Sequence, residues 1–200
     1  MRHCSIMPSD RLCKPIDPYR QQHPVFSRPY PLQEYTLCIR PLCVSTDIEL
    51  VYSWLSHQLG THSWQEGGPK PELMQCYIDM LKSDYSQSFL CLMDEQPVCQ
   101  VDVGKAIFNE VFMYIDTQDN DYVFRMIISP EVELRNAYVN IVRTLLEYFF
   151  SFREVGRVLT CLPANDDWIN HLLESAGLAY LDTRRTIYGV VNLYGCVSPS

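Results

Sequence analysis

Between Asp121 and Phe150 a strand pattern runs directly into a long amphipathic helix, and this junction restricts the fold more than any other stretch. The strand reads Tyr122-Val-Phe-Arg-Met-Ile-Ile128, an apolar run of the length and β-branched content of a buried strand. Ser129-Pro130-Glu131 follows as a cap, a proline and a first-turn acid, so the helix is expected to start at Pro130 and run to Phe150. Val132, Ala137, Ile141, Leu145 and Phe149 form its inward stripe, and Leu134, Tyr138, Val142 and Leu146 broaden it. A helix start just beyond a buried strand presents free N–H groups and a positive dipole end, which suits a phosphate. The junction has no glycine, although close backbone approach to a phosphate usually needs a residue without Cβ.

The period elsewhere completes a mixed pattern. Residues 1–34 hold six prolines and read as an extended arm, either docked or loose, ahead of a single domain over 35–200. Tyr35–Arg40 is a first strand. Thr46-Asp-Ile-Glu49 is a capping box opening a helix that Gly60 ends, and Pro71 opens a second helix. Strands are expected at Ser88–Asp94, Val98–Val103 and Val111–Asp116, ahead of the strand at 122–128. Arg157–Leu162 is a strand, and Asn165-Asp-Asp-Trp168 caps a short helix stopped by Gly177. Strands near Ala179–Asp182 and Thr186–Leu193 close the chain.

Composition narrows the function classes. With 47% apolar residues in 200, the chain can bury a full core. The net charge is −8, and residues 1–33 are basic (Arg2, Arg11, Lys14, Arg20 and Arg28 against Asp10 and Asp17), so the acidity is concentrated in the domain. An acidic body argues against nucleic-acid binding. No apolar stretch approaches the ~20 residues of a membrane span, and the N-terminus lacks a signal-peptide apolar region. The nine cysteines are odd in number and form no Cys-x-x-Cys. Cys91, Cys99 and Cys161 sit inside apolar runs, as thiols of a reducing compartment do, so the expected location is cytoplasmic. His57 and His171 fall on outward helix faces by periodicity, and no metal site is expected. Nucleophile-elbow, Walker, zincin and Rossmann motifs are all absent. Gln100 and Asp102 share one strand face, where polar residues among valines mark either a cavity or a solvated surface.

The element order resembles that of the GCN5-related N-acetyltransferases. Over residues 36–194 it is similar to the acyltransferases of hydroxamate-siderophore biosynthesis, the hydroxylysine acetyltransferase and mycobactin lysine acyltransferase type. Asp47-Ile-Glu-Leu-Val-Tyr-Ser-Trp54, the aromatic loop Ser63-Trp-Gln-Glu-Gly-Gly-Pro69, Gln96-Pro-Val-Cys-Gln-Val-Asp102, and Asn165 to Gly177 carry the likeness. The resemblance implies an α+β fold (α/β sandwich), a mixed, mostly antiparallel sheet with helices on both faces. It implies an acyl-CoA-dependent N-acyltransferase, using acetyl-CoA or another acyl-CoA on an amine or hydroxylamine. It places the pantetheine arm at Met126, Ile127 and Ile128, in a splay between neighbouring strands. The pyrophosphate falls at Arg135, Asn136, Ala137 and Tyr138, and the acceptor at Trp64, Gln65, Gln100 and Asp102. The chain also departs from the family pattern. Arg135-Asn-Ala-Tyr138 stands where the family has Arg-Gly-x-Gly, Arg125 where siderophore acyltransferases have His, Leu162-Pro163 near their acid, and Leu173 where other members carry a general-acid Tyr. The resemblance therefore assigns no catalytic residue, and a catalytically degenerate binding or partner module is the alternative expectation.

Overall fold

The computed structural model describes residues 11–19, 22–58, 69–109, 115–130, 137–186 and 189–199. Eight strands form one sheet: β1 (Phe26–Tyr30), β2 (Tyr35–Pro41), β3 (Ser86–Met93), β4 (Gln96–Lys105), β5 (Asp121–Ile128), β6 (Arg157–Pro163), β7 (Ala179–Thr186) and β8 (Gly189–Val197). Their spatial order is β1-β2-β3-β4-β5-β6-β8-β7. Every neighbouring pair is antiparallel except β5 and β6, which run parallel. The helices are α1 (Val44–Gln58), α2 (Lys70–Leu81), α3 (Tyr138–Phe150) and α4 (Asp167–Ala176). The fold is α+β, a mixed, mostly antiparallel sheet with helices on both faces.

Strand alternation divides the core. Phe89, Cys91, Cys99, Val101, Val103, Tyr122 and Phe124 face α3 and α4, packing on Ile141, Leu145, Phe149, Leu172 and Leu173. Leu90 and Ile127 point the other way, onto Trp54, Leu55, Tyr77 and Leu81 of α1 and α2.

Several local expectations shift in detail. Helix α1 begins at Val44, ahead of Thr46, because Asp47 reaches back to accept the Cys43 N–H (2.7 Å) and both Arg40 Nη atoms (2.7 and 2.9 Å). Helix α2 starts beside Pro71 as expected. Asp166 caps α4 through the Ile169 N–H (3.3 Å), and Gly177 ends it at φ 107°. Helix α3 begins at Tyr138 rather than at Pro130; residues 131–136, its expected first turns, lie outside the described residues. The expected strand at 111–116 falls mostly outside them as well, and residues 115 and 116 are not in a strand.

The arm is docked where it is described. Leu12 and Cys13 are buried in the α3-side core, the Leu12 N–H donates to Glu154 (2.8 Å), and the Ile16 N–H donates to the Leu81 carbonyl (2.7 Å). Residues 26–30, inside the expected arm, form an edge strand, a place that tolerates Pro29.

Candidate active site

The parallel strands β5 and β6 pair over three residues only: Asp121 with Arg157, Tyr122 with Val158, and Val123 with Leu159. Beyond that they part. β5 continues to Ile128 along β4, and β6 continues to Pro163 along β8. At the fork, Thr160 Oγ1 donates to the Phe124 carbonyl (2.8 Å), so main-chain groups of Phe124 face β6. Alternation then puts those of Met126 on the same edge, looking into the wedge. The Ser129 N–H donates to Val98 O of β4 (3.0 Å), which fixes the odd residues on the opposite edge, Ile127 among them. The side chains of Met126, Ile128 and Leu162 pack against the α3-side core.

The mouth of the wedge is framed by helix starts. Ala137 precedes α3, and both Ala137 and Tyr138 are buried against the core. Tyr138, standing where the family motif has glycine, turns its ring inward and meets Trp168 of α4 edge-on (centroids 5.2 Å apart, 77° between planes). Burial first, and the nearby Cys99 second, push its phenol up to about 12. Arg135 and Asn136 lie outside the described residues.

On the α1 and α2 face of the sheet, a polar row crosses three strands. Ser88, Asp102 and Arg125 are direct cross-strand neighbours, and Gln100 is one pleat along. Asp102 Oδ2 accepts from Arg125 Nη2 (2.8 Å) and Nε (3.2 Å). Its Oδ1 accepts from Gln100 Nε2 (2.5 Å) and from the Ser88 hydroxyl. Gln100 is fully buried, and its Oε1 has no hydrogen-bond partner among the described residues. A buried acceptor in that state costs about 1–3 kcal/mol unless something donates to it. This face is therefore not solvated, contrary to one of the two sequence expectations. Trp64 and Gln65 lie outside the described residues.

Sequence reasoning placed Gln100 and Asp102 together but missed Ser88 as their neighbour, because cross-strand register is not local. Cys161, expected as a thiol inside an apolar run, lies at the edge of this row. Next to Thr160 on β6, Cys161 is half-buried within the electrostatic reach of Arg125. Burial pushes the Cys161 thiol up to about 11 against the pull of that guanidinium. Among the described residues, no group of three or more His, Cys, Asp or Glu side chains is placed to hold a metal, and no helix is long and apolar enough to cross a membrane.

A forked sheet with helix starts at its mouth is the architecture of the acyl-CoA-dependent acetyltransferases. Residues 44–185 match the sequence model described as an acetyltransferase (GNAT) domain, so the chain belongs to the GNAT acetyltransferase family. No curated protein matches it by sequence. Solved structures share the fold at low identity. An uncharacterised protein of Bacillus halodurans superposes with a TM-score of 0.76 at 12% identity, covering 86% of this chain and 89% of that one. Aminoglycoside acetyltransferase AAC(6')-Ib in complex with coenzyme A gives 0.71 at 16% identity, covering 80% and 94%. Spermidine N-acetyltransferase of Vibrio cholerae, in complex with CoA and spermine, gives 0.68 at 15% identity, covering 81% and 95%.

Proposed function

We propose that the protein transfers an acyl group from acetyl-CoA or another acyl-CoA to the nitrogen of a small amine or hydroxylamine. The single observation that carries this reading is the β5–β6 wedge. Its exposed edge offers Met126 main-chain groups to the amides of a pantetheine arm, as a pseudo-strand would use them, while the mouth opens at the start of α3. The structures of GNAT enzymes with coenzyme A bound support acyl-CoA as the co-substrate. The acceptor is assigned to the α1 and α2 face, beside the polar row of Ser88, Asp102 and Arg125. Its nitrogen lone pair attacks the thioester carbonyl carbon, which the wedge-edge N–H groups polarise. The C–N bond forms, the C–S bond breaks, CoA departs as the thiolate, and the amine proton passes to it through solvent. A hydroxamate-siderophore precursor is the proposed acceptor class. It rests on the sequence resemblance in Asp47–Trp54, Gln96–Asp102 and Asn165–Gly177.

One observation favours a second reading, a degenerate GNAT-fold binding module. The Asp102 carboxylate is engaged by Arg125, Gln100 and Ser88, so it is a poor candidate for a free base. Calorimetry with acetyl-CoA, joined to a thiol-release assay against amines and hydroxylamines, separates the two. Binding at micromolar concentration with amine-dependent CoA release supports the enzyme. Binding without release supports the module. A dissociation constant weaker than about 1 mM removes the acyl-CoA reading.

A further inference from the structure

Among the described residues, Trp168 is a large apolar side chain that the core leaves partly uncovered beside the start of α3. It begins the α4 stripe that continues through Leu172 and Ala176. Those two are buried against the α3-side core, whereas Trp168 remains 43% exposed. The two helices run side by side in the same direction. Tyr138 meets Trp168 at their starts, and Arg143 donates to the Ser175 carbonyl (2.7 Å) further along. Both starts therefore lie at the end where β5 and β6 have parted, and the Asp166 N–H ties the base of α4 to Pro163 O at the tip of β6 (3.2 Å). An indole buries on the order of 150–250 Å² when fully covered, so the 43% of this side chain left exposed forgoes part of that stabilisation.

We propose that Trp168 is one wall of the acyl-CoA groove, its indole packing on the branched apolar segment of the pantetheine arm. This rests on the acyl-CoA reading above. The perpendicular contact with Tyr138 occupies at most one face of the indole, which leaves a face for the ligand. The charges beside the ring select which part of the ligand lies there. Asp166 and Asp167 precede it directly, and two carboxylates repel a phosphate. The pyrophosphate stays at the α3 start, and the uncharged segment between pyrophosphate and amides meets the ring. Tyr138 then acts as the back support of this wall rather than as an obstruction.

The test is intrinsic fluorescence combined with calorimetry. The chain has three tryptophans, so the difference between wild type and Trp168→Phe isolates the one in question. Acetyl-CoA and 4'-phosphopantetheine should each change wild-type emission, and the change should disappear in Trp168→Phe. Trp168→Ala should weaken acetyl-CoA binding about tenfold, the loss of one good aromatic contact. An undiminished response in Trp168→Phe overturns the inference, even if Trp168→Ala fails to fold. So does a wild-type response to adenosine 3',5'-diphosphate equal to that of acetyl-CoA, which would put the adenine on the ring. If calorimetry finds no acetyl-CoA binding to wild type, the acyl-CoA reading itself falls, and this inference falls with it. Binding with unaltered affinity in folded Trp168→Ala overturns only the wall.

Discussion

Replacing Asp102 by alanine isolates the energetics of the polar row. The substitution deletes a carboxylate whose side chain is 9% exposed and removes its bonds to Arg125, Gln100 and Ser88. It leaves a guanidinium that has lost this counter-charge on the sheet. Breaking one side of a buried ion pair costs 3–5 kcal/mol. The Arg125 side chain is 23% exposed and can be partly hydrated, so the lower end, about 3 kcal/mol, is expected. For a chain of this length that corresponds to a fall in Tm of about 6–12 °C. Urea and thermal unfolding of Asp102→Ala, Arg125→Met and the double variant complete the cycle. The double variant removes both charges, so it should be more stable than the sum of the singles predicts by about 1–3 kcal/mol. A cost below about 1 kcal/mol for Asp102→Ala, or additivity within about 0.5 kcal/mol, would refute the claim that the two charges sustain each other in the core.

Gly177→Ala should cost about 1–2 kcal/mol, read as a lower urea midpoint at constant slope. The strain is purely backbone, since φ is 107° and an added Cβ would meet nothing within 4 Å. Leu12→Ala should cost about 2–3 kcal/mol, because Leu12 is buried in the α3-side core; no loss of stability would mean that the arm is dispensable. Alkylation of Cys161 by iodoacetamide, followed by mass spectrometry, should be slow at pH 8 and accelerate towards about 11, where the thiol ionises. Burial raises Cys13 and Cys91 to about 12, so the folded protein holds protons that unfolded thiols release near 9.0. Stability is then complete below pH 9.0 and declines as pH climbs through 11 and 12, and urea midpoints at pH 8 and about 10.5 should show that fall rather than a rise.

The sequence was most legible where structure is local. Pro71 beside the start of α2, Asp166 at the cap of α4 and Gly177 at its end each act within one helical turn, and each stands where its chemistry requires. Ser129-Pro130-Glu131 is a good local cap and drew the expected start of α3 to Pro130, whereas α3 begins at Tyr138 and the Ser129 N–H extends the β4–β5 ladder to Val98. Strand β1 escaped notice because Phe26-Ser-Arg-Pro-Tyr30 pairs with β2 on one side only, and an edge position accepts a proline that sequence rules treat as a breaker. The candidate site divides the same way. Alternation alone put Gln100 and Asp102 on one face, whereas Ser88 and Arg125 reach them through β3–β4 and β4–β5 register, which the strand sequences do not encode singly. The wedge was expected from the family resemblance. Its physical basis is that β5 and β6 follow different partners, β4 and β8, after the Thr160 bridge.

Amide hydrogen exchange across the segment 124–128, with and without saturating acetyl-CoA, addresses the wedge itself. The Met126 N–H, on the open edge, should gain protection when the thioester's linker lies between the strands, while the Ile127 N–H, already directed at β4, should change little. Saturated binding that leaves Met126 exchanging as fast as in the free protein would contradict the assignment of the β5–β6 fork as the acyl-CoA site.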